Sequence, residues 1–423
     1  MPIASFILYQ LLQVSLAPFI FFYLLYRVIK KKPTIGVLTH RLGFVPRNEH
    51  PPAVWIHAVS VGETLATEYF IQDLIKQKHI VYLTGGTAGA RQVSKDFQAS
   101  YRAYLPFDFM PCIILAFWRI KPKALIILEG DWWPNLIMVA KLLHIPVYGL
   151  NARVTPRYGI RAFLFKNMSR ILLLHINKLI VQTQNDATLF KKAGIEPTKI
   201  EVLGNIKAYN VAAKRHALKL SKKNTPWPVL MMGSVHPGEI KDFLGSYAFL
   251  KLRYPRLKCI IAPRHLHWLE ELIELASEQG NTFVLKAKPD EAFLETLATH
   301  DIIIGGALGI MFELYAYASL FYLGGTFVKV GGHNLLEPAV WGIASLVGPH
   351  HQNCLDTLQH LRSVGAGFIA PTASSLQEQS ASLLANLAEL EERGAAAGQW
   401  LALEAAQCEK ALKEFANELP QVE

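Results

Sequence analysis

The sequence predicts an α/β protein with two doubly wound domains, preceded by an N-terminal membrane-anchor helix. Three observations lead to this prediction. The chain has 423 residues, more than one ordinary domain core holds. Short apolar runs alternate with amphipathic stretches along most of its length, as in the βαβ units of parallel sheets. The chain also opens on a long uncharged segment.

The N-terminal segment Ile3–Tyr26 contains no charged residue. As a helix it is long enough to cross the apolar core of a bilayer, at about 1.5 Å per residue. Arg27 and the lysines at 30–32 follow at once, which predicts that the remaining chain stays in the cytoplasm. No small-residue cleavage site precedes these cations, so we expect a retained anchor. Two glutamines and a proline leave open whether it spans the bilayer or lies in its interface.

The alternating pattern divides into two series of strands. The first comprises Ala53–Ala58, His79–Leu83, Ala124–Leu128, Pro146–Leu150 and Lys178–Gln182, with a helix at Glu63–Lys76. The second comprises Val229–Met232, Cys259–Ala262, Thr282–Leu285, Asp301–Ile304, Leu320–Leu323 and Ser345–Val347. Between them, the basic segment Ala212–Pro228 ends in two prolines and is predicted to be a linker. We therefore expect an anchor at 1–26, an N-terminal domain at 27–212 and a C-terminal domain with a helical tail at 213–423. The carboxyl ends of both sheets are expected to line an interdomain cleft.

Composition restricts the partners of this protein. The apolar fraction is 51% and the charged fraction 18%, which favours a well-buried core. The net charge of +10 favours anions such as nucleotides, acidic sugars and lipid head groups. The basic residues are scattered rather than interleaved with aromatic ones, so we expect no nucleic acid partner. The four cysteines lie far apart, which indicates neither a zinc site nor a disulfide framework.

The motif HAVSVGE stands where the first predicted strand passes into a helix. It offers His57, Ser60 and Gly62 as candidate ligand contacts, and Gly62 permits a tight turn. Glu63 falls in the first turn of the helix, where a carboxylate could take a proton from a poorly nucleophilic hydroxyl. A glutamate near a helix start is also a common stabilising choice. The pattern alone leaves the catalytic and capping interpretations open.

Two carboxylates follow another buried strand of the first domain, in the motif LEGDWWPN. Glu129 and Asp131 stand beside two tryptophans, an arrangement that suits a sugar-binding platform. It suits a capped helix start with aromatic core anchors equally well. Both interpretations stay open.

Three loops of the second domain follow predicted strands and carry candidate ligand contacts. Arg264 could hold a phosphate through its planar fork, aided by Ser234 and backbone N–H groups. Two glycines before a helix start bring the backbone close to a ligand, and Glu337 could accept from ribose hydroxyls. Ordinary polar loops, with Asn334 as a helix cap, are the alternative. The candidates are Gly233, Ser234, His236, Pro263, Arg264, His265, Gly332, His333, Asn334, Leu335, Leu336 and Glu337.

Six motifs follow one another in a specific order after the N-terminal segment. They are HAVSVGE, LEGDWWPN, GNIKAY, MGSVHPGE, APRH and GGTFVKVGGHNLLEP. In this order they resemble the Kdo (3-deoxy-D-manno-octulosonic acid) transferase family of lipopolysaccharide biosynthesis. The resemblance extends to the neighbourhood of His350, and the last motif is most similar to the chlamydial branch.

The resemblance implies a metal-independent, inverting glycosyltransferase of the GT-B type that needs no cofactor. It implies transfer of Kdo from CMP-Kdo to a lipid A precursor (lipid IVA) at the cytoplasmic face of the inner membrane. It makes Glu63 the general base and assigns CMP to the C-terminal domain. Lys207 is a weaker candidate for the donor phosphate or the Kdo carboxylate. Where many members read DTMGEL this chain reads GALGIM, which limits Leu308, Gly309 and Ile310 to main-chain or apolar contacts.

Elementary chemistry agrees with the resemblance, since CMP leaves as a phosphate monoester that cations and helix N-termini stabilise without a metal ion. The absence of GxGxxG after the first strand and of GxxxxGK[ST] disfavours dinucleotide dehydrogenases and P-loop enzymes. A UDP-sugar transferase acting on a lipid-linked acceptor is the alternative enzyme. A membrane-anchored protein that binds acidic lipids or nucleic acid is the non-enzyme alternative, suggested by the net charge, and the scattered basic residues disfavour nucleic acid.

Overall fold

The structure is a computed structural model that describes residues 2–29, 35–153, 172–278, 280–307 and 309–421. The chain forms two units. The first contains the chain up to Asn210 and the segment from Ala405 onward, and the second contains Val211–Glu404. The sequence analysis assigned the whole C-terminal tail to the second domain, so the structure corrects that boundary.

The sheet of the first unit contains seven parallel strands in the order β3-β2-β1-β4-β5-β6-β7. The inner strands β1 and β4 are almost wholly buried, as expected when helices cover both faces of a parallel sheet. The strand order reverses between β1 and β4, which makes their carboxyl ends the topological switch point. The strands are β1 Ala53–Ala58, β2 Val81–Gly85, β3 Tyr101–Tyr104, β4 Pro122–Leu128, β5 Val147–Ala152, β6 Lys178–Val181 and β7 Ile200–Val202.

Nine α-helices begin within the described residues of the first unit. They are α1 Pro2–Ile29, α2 Ile35–Arg41, α3 Val61–Ala66, α4 Glu68–Lys76, α5 Ala88–Val93, α6 Met110–Ile120, α7 Pro134–Leu142, α8 Gln184–Lys192 and α9 Ile206–Ala217. The single helix predicted over Glu63–Lys76 is divided at Thr67, which is buried and donates its hydroxyl to the Thr64 carbonyl. Because α9 continues to Ala217, the first part of the predicted linker is helical.

The sheet of the second unit also has seven parallel strands, in the order β10-β11-β9-β8-β12-β13-β14. Its switch point lies between β8 and β12. The strands are β8 Val229–Val235, β9 Lys258–Pro263, β10 Phe283–Lys286, β11 Ile302–Gly305, β12 Leu320–Leu323, β13 Ala344–Val347 and β14 Gly367–Ile369. The helices are α10 Ile240–Arg253, α11 Leu269–Glu278, α12 Phe293–Thr299, α13 Met311–Leu314, α14 Leu336–Val340, α15 Leu355–Ser363, α16 Ala373–Leu384 and α17 Leu387–Glu418.

The last turns of α17 pack on the first unit. Phe415 stacks on Phe70, with ring centroids 6.1 Å apart, and meets Tyr148 edge-on at 5.1 Å. Lys178 pairs with Glu418 at 2.7 Å. These contacts explain why the end of the chain belongs to the first unit although its sequence follows the second.

Helix α1 turns polar side chains towards the first unit. Tyr9 donates a hydrogen bond to Asp108 Oδ2 at 2.8 Å, Gln13 donates to the Asp108 carbonyl, and Asn135 Nδ2 donates to Gln13 Oε1. The exposed side is apolar and includes Leu8, Leu11, Val14, Phe19 and Phe22. Among the residues that the structure describes, no helix combines the length and the apolar character needed to cross a bilayer.

Candidate functional site

The candidate residues gather at the carboxyl ends of strands at the switch point of each sheet. In the first unit, Glu63 follows β1, and Glu129 and Asp131 follow the neighbouring strand β4. In the second unit, His236 follows β8 and Arg264 follows β9. Ligands of open α/β sheets bind at such positions, because the strand order leaves a crevice there.

Ser60 is the N-cap residue of α3, and its side chain exchanges hydrogen bonds with Glu63 at the start of the helix. Ser60 Oγ accepts a hydrogen bond from the Glu63 backbone N–H at 3.3 Å and donates its own proton to Glu63 Oε1 at 2.8 Å. The Val59 N–H donates to Glu63 Oε2 at 2.8 Å. The capping interpretation of Glu63 is therefore confirmed. Each carboxylate oxygen accepts one protein hydrogen bond and keeps a lone pair for another donor.

Glu129 lies in a left-handed backbone conformation with φ of +56°, directly after β4. Its Oε1 pairs with Lys207 Nζ at 2.9 Å and its Oε2 with Arg153 Nη2 at 2.7 Å. The predicted donor contact Lys207 therefore lies in the first unit, beside the carboxylates. Sequence reasoning missed Arg153, although its place after β5, the strand next to β4, was a signal for it.

Asp131 is the third carboxylate of this group. Burial, together with the smaller effect of the charges of Glu63 and Glu129, raises the pKa of its carboxyl to about 6. Both Glu63 and Glu129 therefore lie close enough to Asp131 for their charges to act on its carboxyl.

His57 lies in the core rather than on the surface of this site. The residue has no exposed surface, and its Nδ1 lies 3.2 Å from the Thr84 carbonyl and 3.1 Å from Thr84 Oγ1. Burial lowers the pKa of the imidazole to about 4, so the ring is neutral, and its Nε2 has no hydrogen-bond partner. A buried ring offers no atom to a ligand, so the geometry disfavours the predicted ligand contact. Gly62 has open space at its Cβ position, so it stays compatible with a ligand approach.

In the second unit, Glu239 holds together two loops of the site, and sequence reasoning did not select it. The fully buried carboxylate accepts hydrogen bonds from the N–H groups of His236 at 2.9 Å, Gly325 at 2.5 Å and Phe327 at 3.3 Å. Burial raises its pKa to about 7, against the opposing effect of these hydrogen bonds. The signal in the sequence was its position three residues after His236, before a helix. Glu239 therefore fixes the loop after β8 to the loop after β12.

His236, His265, His333 and Arg264 form a cluster of nitrogen-bearing side chains. The His236 ring stacks on His333 with centroids 5.8 Å apart and lies 5.2 Å from Trp268. Desolvation, together with the charges of Arg264 and the neighbouring histidines, lowers the pKa of His333 to about 4, although part of the residue stays exposed. Burial likewise lowers the pKa of His236. Both imidazoles are therefore neutral, and the fixed positive charge of the cluster belongs to Arg264.

Arg264 is exposed, and no carboxylate in the described part of the chain pairs with its guanidinium. Its backbone N–H donates to the Val235 carbonyl at 2.9 Å, which fixes it beside the end of β8. Pro263 is the last residue of β9 and is buried, so Arg264 directly follows a buried strand end. An unpaired guanidinium at a strand end is suited to bind a phosphate.

The loop before α14 is shaped by glycines. Gly332 has φ of +70°, and a Cβ there would lie 2.9 Å from Thr326. Asn334 Oδ1 accepts from the N–H of Leu336, the first residue of α14, and Leu335, the N-cap residue, is buried. Burial raises the pKa of Glu337, and the charges of Lys214 and Arg264 oppose that rise. The charge of Arg264 thus acts on the Glu337 carboxyl. The sequence analysis had placed both residues in one candidate ligand site.

Several of the remaining predicted contacts in the second unit lie in packed or left-handed backbone positions. Gly233 has no room for a side chain, since a Cβ would lie 2.6 Å from Met311. Ser234 has φ of +58° and donates its hydroxyl to Met311 Sδ. Ile310 is buried, and Gly309 has φ of +84°. Leu308 lies outside the described residues.

Within the described ranges, no three His, Cys, Asp or Glu side chains are placed to hold a metal ion together. This finding leaves the predicted metal independence as a prediction.

The fold is shared with proteins of known structure. A glycosyltransferase of Rickettsia africae matches with a TM-score of 0.56 at 11% identity, over 88% of this chain and 99% of its own. A UDP-GlcNAc 2-epimerase of Neisseria meningitidis matches with a TM-score of 0.57 at 14% identity, over 86% of this chain and 98% of its own. These matches establish the class of the fold, two parallel-sheet α/β domains as in GT-B glycosyltransferases.

Sequence comparison gives the family. Residues 37–210 match the family described as 3-deoxy-D-manno-octulosonic-acid transferase (kdotransferase). A 3-deoxy-D-manno-octulosonic acid transferase of Aquifex aeolicus is 31% identical over 336 residues, covering 78% of this chain and 86% of the relative. One of Chlamydophila psittaci is 31% identical over 361 residues, covering 81% of each chain. This chain belongs to the Kdo transferase family and is a glycosyltransferase, which removes the non-enzyme alternative.

Proposed function

We propose that this protein transfers Kdo from CMP-Kdo to a lipid A precursor, lipid IVA, with inversion at the anomeric carbon and without a metal ion. One observation carries the proposal beyond family membership. The switch point of the first sheet holds a carboxylate with free lone pairs, and that of the second holds an unpaired guanidinium among neutral histidines. These are the groups that deprotonation of a hydroxyl and departure of a phosphate require.

Glu63 is the general base in this proposal. The acceptor hydroxyl attacks the anomeric carbon of Kdo, its proton passes to Glu63, and the bond to the phosphate oxygen of CMP breaks with its electron pair. Hydrogen bonds from Ser60 and the Val59 N–H fix the carboxylate, so little reorganisation is needed when it accepts the proton. Glu129 is a poor candidate because Lys207 and Arg153 occupy its two oxygens. It positions these cations beside Glu63 and Asp131.

The second unit binds the donor in this proposal. Arg264 supplies the positive charge for the CMP phosphate, because the adjacent imidazoles of His236 and His333 are neutral. A neutral imidazole both donates and accepts hydrogen bonds, so it can bind the hydroxyl groups of a sugar or the polar groups of a nucleotide base. Glu337 accepts from ribose hydroxyls. The UDP-GlcNAc 2-epimerase likeness concerns the fold alone, and we therefore place UDP-sugars second.

We further propose that α1 attaches the enzyme to the cytoplasmic side of the bacterial inner membrane by lying in the interface. The polar contacts of Tyr9 and Gln13 hold one side of the helix on the first unit, while exposed Leu8, Phe19 and other apolar residues cover the opposite side. An exposed apolar helix face next to basic residues is typical of interfacial membrane helices.

The activity is tested with purified enzyme, lipid IVA and a set of donors. We expect mass spectrometry to find Kdo added to lipid IVA with CMP-Kdo, and no product with UDP-GlcNAc. Chelation by EDTA should leave the rate unchanged. Transfer from UDP-GlcNAc with none from CMP-Kdo would refute the donor assignment.

The membrane assignment has its own test. Phe19→Glu should move the protein from the membrane pellet to the supernatant in sedimentation with anionic vesicles. Leu252→Glu is the matched control, because Leu252 is a highly exposed leucine of the second unit at 86% relative exposure. Equal sedimentation of both variants would exclude α1 as the attachment site.

A further inference from the structure

The basic segment that the sequence analysis singled out as a linker borders a pocket in the second unit. The pocket has a volume of about 1100 Å³ and lies between the end of α9 with its following loop, the turn after α14, and α17. None of the candidate donor-site residues lines it. The function proposed above gives this pocket no role.

The lining of the pocket is strongly basic. Arg215, Lys219, Lys222 and Lys223 all contribute to it, against the single carboxylate of Glu391. Desolvation by the pocket walls lowers the pKa of Lys222, an effect that Glu391 opposes and Arg215 reinforces, although the residue as a whole stays exposed. Four cations facing one anion leave an excess of positive charge that a bound anion would neutralise.

Trp341 supports one of the pocket's cations. Arg215 lies over the Trp341 ring at 4.7 Å and donates a hydrogen bond to the Val340 carbonyl. Trp341 itself is only 1% exposed, so the ring beneath Arg215 is packed in the interior.

Close packing keeps the turn after α14 in place. Gly342 has φ of +68°, and Gly394 of α17 approaches it so closely that a Cβ on Gly394 would lie 2.2 Å from the Gly342 carbonyl oxygen. Lys222 donates a hydrogen bond to that same carbonyl at 3.2 Å. The cations therefore stand around a fixed turn rather than on a loose surface loop.

We propose that this pocket is a second anion-binding site, separate from the donor site, that takes a phosphate-bearing ligand. The Lys219 and Lys223 ammonium groups contact the phosphate oxygens at the rim. Arg215 provides the inner donors. A soluble polyphosphate and a phospholipid head group share this chemistry, and the experiment below separates them.

The test measures binding of inorganic pyrophosphate to the full chain by calorimetry in saturating CMP, which occupies the proposed donor site. The pocket variant is Lys219→Asn with Lys223→Gln. Asparagine tolerates the left-handed conformation that Lys219 adopts at φ of +51°. The control variant, Lys191→Asn with Lys192→Gln, removes the same charge from exposed residues at the end of α8.

We expect the pocket variant to bind pyrophosphate at least about tenfold more weakly than the wild type, with the control unchanged. In a parallel arm, all three proteins are sedimented with phosphatidylcholine vesicles with and without phosphatidylglycerol. A selective loss of anionic-vesicle binding in the pocket variant would identify a lipid phosphate as the ligand source. A melting curve of each variant verifies folding.

The proposal is overturned if the folded pocket variant binds both probes as the wild type does. It is also overturned if the wild type binds neither. Loss of either probe in the pocket variant alone supports it. Because the variants spare every residue assigned to catalysis, failure here leaves the proposed transferase activity untouched.

Discussion

The loops at the switch point of the first sheet carry three carboxylates, Glu63, Glu129 and Asp131, whereas those of the second carry Arg264 and neutral histidines. The topology is alike, since each sheet has seven parallel strands that reverse order next to a central strand. The topology therefore determines where a ligand site lies, and the side chains determine its chemistry. A carboxylate group suits proton removal, and a guanidinium suits a phosphate.

The largest effect is expected from Glu63→Gln, which tests the role of the carboxylates at the switch point of the first sheet. Glutamine keeps the size and the capping position of the side chain but removes its basicity, so turnover should fall by about 10²–10⁴-fold. The melting temperature and CMP affinity should stay near normal.

Ser60→Ala is the matched control, because it removes the capping partner and leaves the base. It should lower the free energy of unfolding by about 1 kcal/mol. Turnover of Ser60→Ala should exceed that of Glu63→Gln. Near-normal turnover in Glu63→Gln would reduce this residue to a capping role.

Glu239→Ala tests whether the site at the switch point of the second sheet depends on the buried carboxylate of Glu239. Three backbone N–H groups, of His236, Gly325 and Phe327, would lose their acceptor. We expect a loss of about 3 kcal/mol or more in the free energy of unfolding, measured by denaturant titration. Glu239→Gln keeps one acceptor oxygen and should lose less. Equal stability of the two variants would argue against the hydrogen-bond explanation.

Arg264→Ala should weaken CMP-Kdo binding by about 10–150-fold, as expected for a charge-assisted contact of about 1.5–3 kcal/mol. Calorimetry measures this change directly. Arg253→Ala is the control, because Arg253 is also an exposed arginine of the second unit. Donor affinity that is the same in both variants would place Arg264 outside the site.

The smallest effect is a pH dependence at Asp131. Its carboxyl pKa rises from 3.8 to about 6 in the folded protein, so ionisation there costs folding free energy. That cost is absent below the unfolded pKa, grows as the pH rises towards 6, and then stays constant. Asp131→Asn should therefore stabilise the protein at neutral pH, by at most about 2 kcal/mol after solvent screening, and not in acid.

Asp301→Asn should show the opposite sign in the same melting curves. Burial raises the pKa of Asp301, but the ion pair with Lys251 and the hydrogen bond from Thr282 outweigh burial and leave the pKa below its ordinary value. Asp301 therefore stabilises the fold at neutral pH, and this contribution fades as the pH falls through its folded pKa. Parallel pH profiles for both variants would contradict these electrostatic assignments.

The sequence by itself determined the inner strands of both sheets and the segments that carry the site. β1 at Ala53–Ala58 and β12 at Leu320–Leu323 match their predicted bounds. Strands covered on both faces must be apolar throughout, so they are visible as continuous runs. The strands it missed, β3, β7 and β14, are short and partly exposed strands at sheet edges, where no such run is required.

Only the tertiary structure decided how distant residues combine. Glu129 meets Lys207 and Arg153, and Glu239 joins the loops after β8 and β12, through contacts between segments far apart in the chain. The sequence also could not place the end of α17 on the first unit or turn the glutamines of α1 inward. The local sequence pattern indicates whether a segment is buried. Which polar side chains pair depends on the order of the strands in the sheet, because that order decides which strand ends are neighbours.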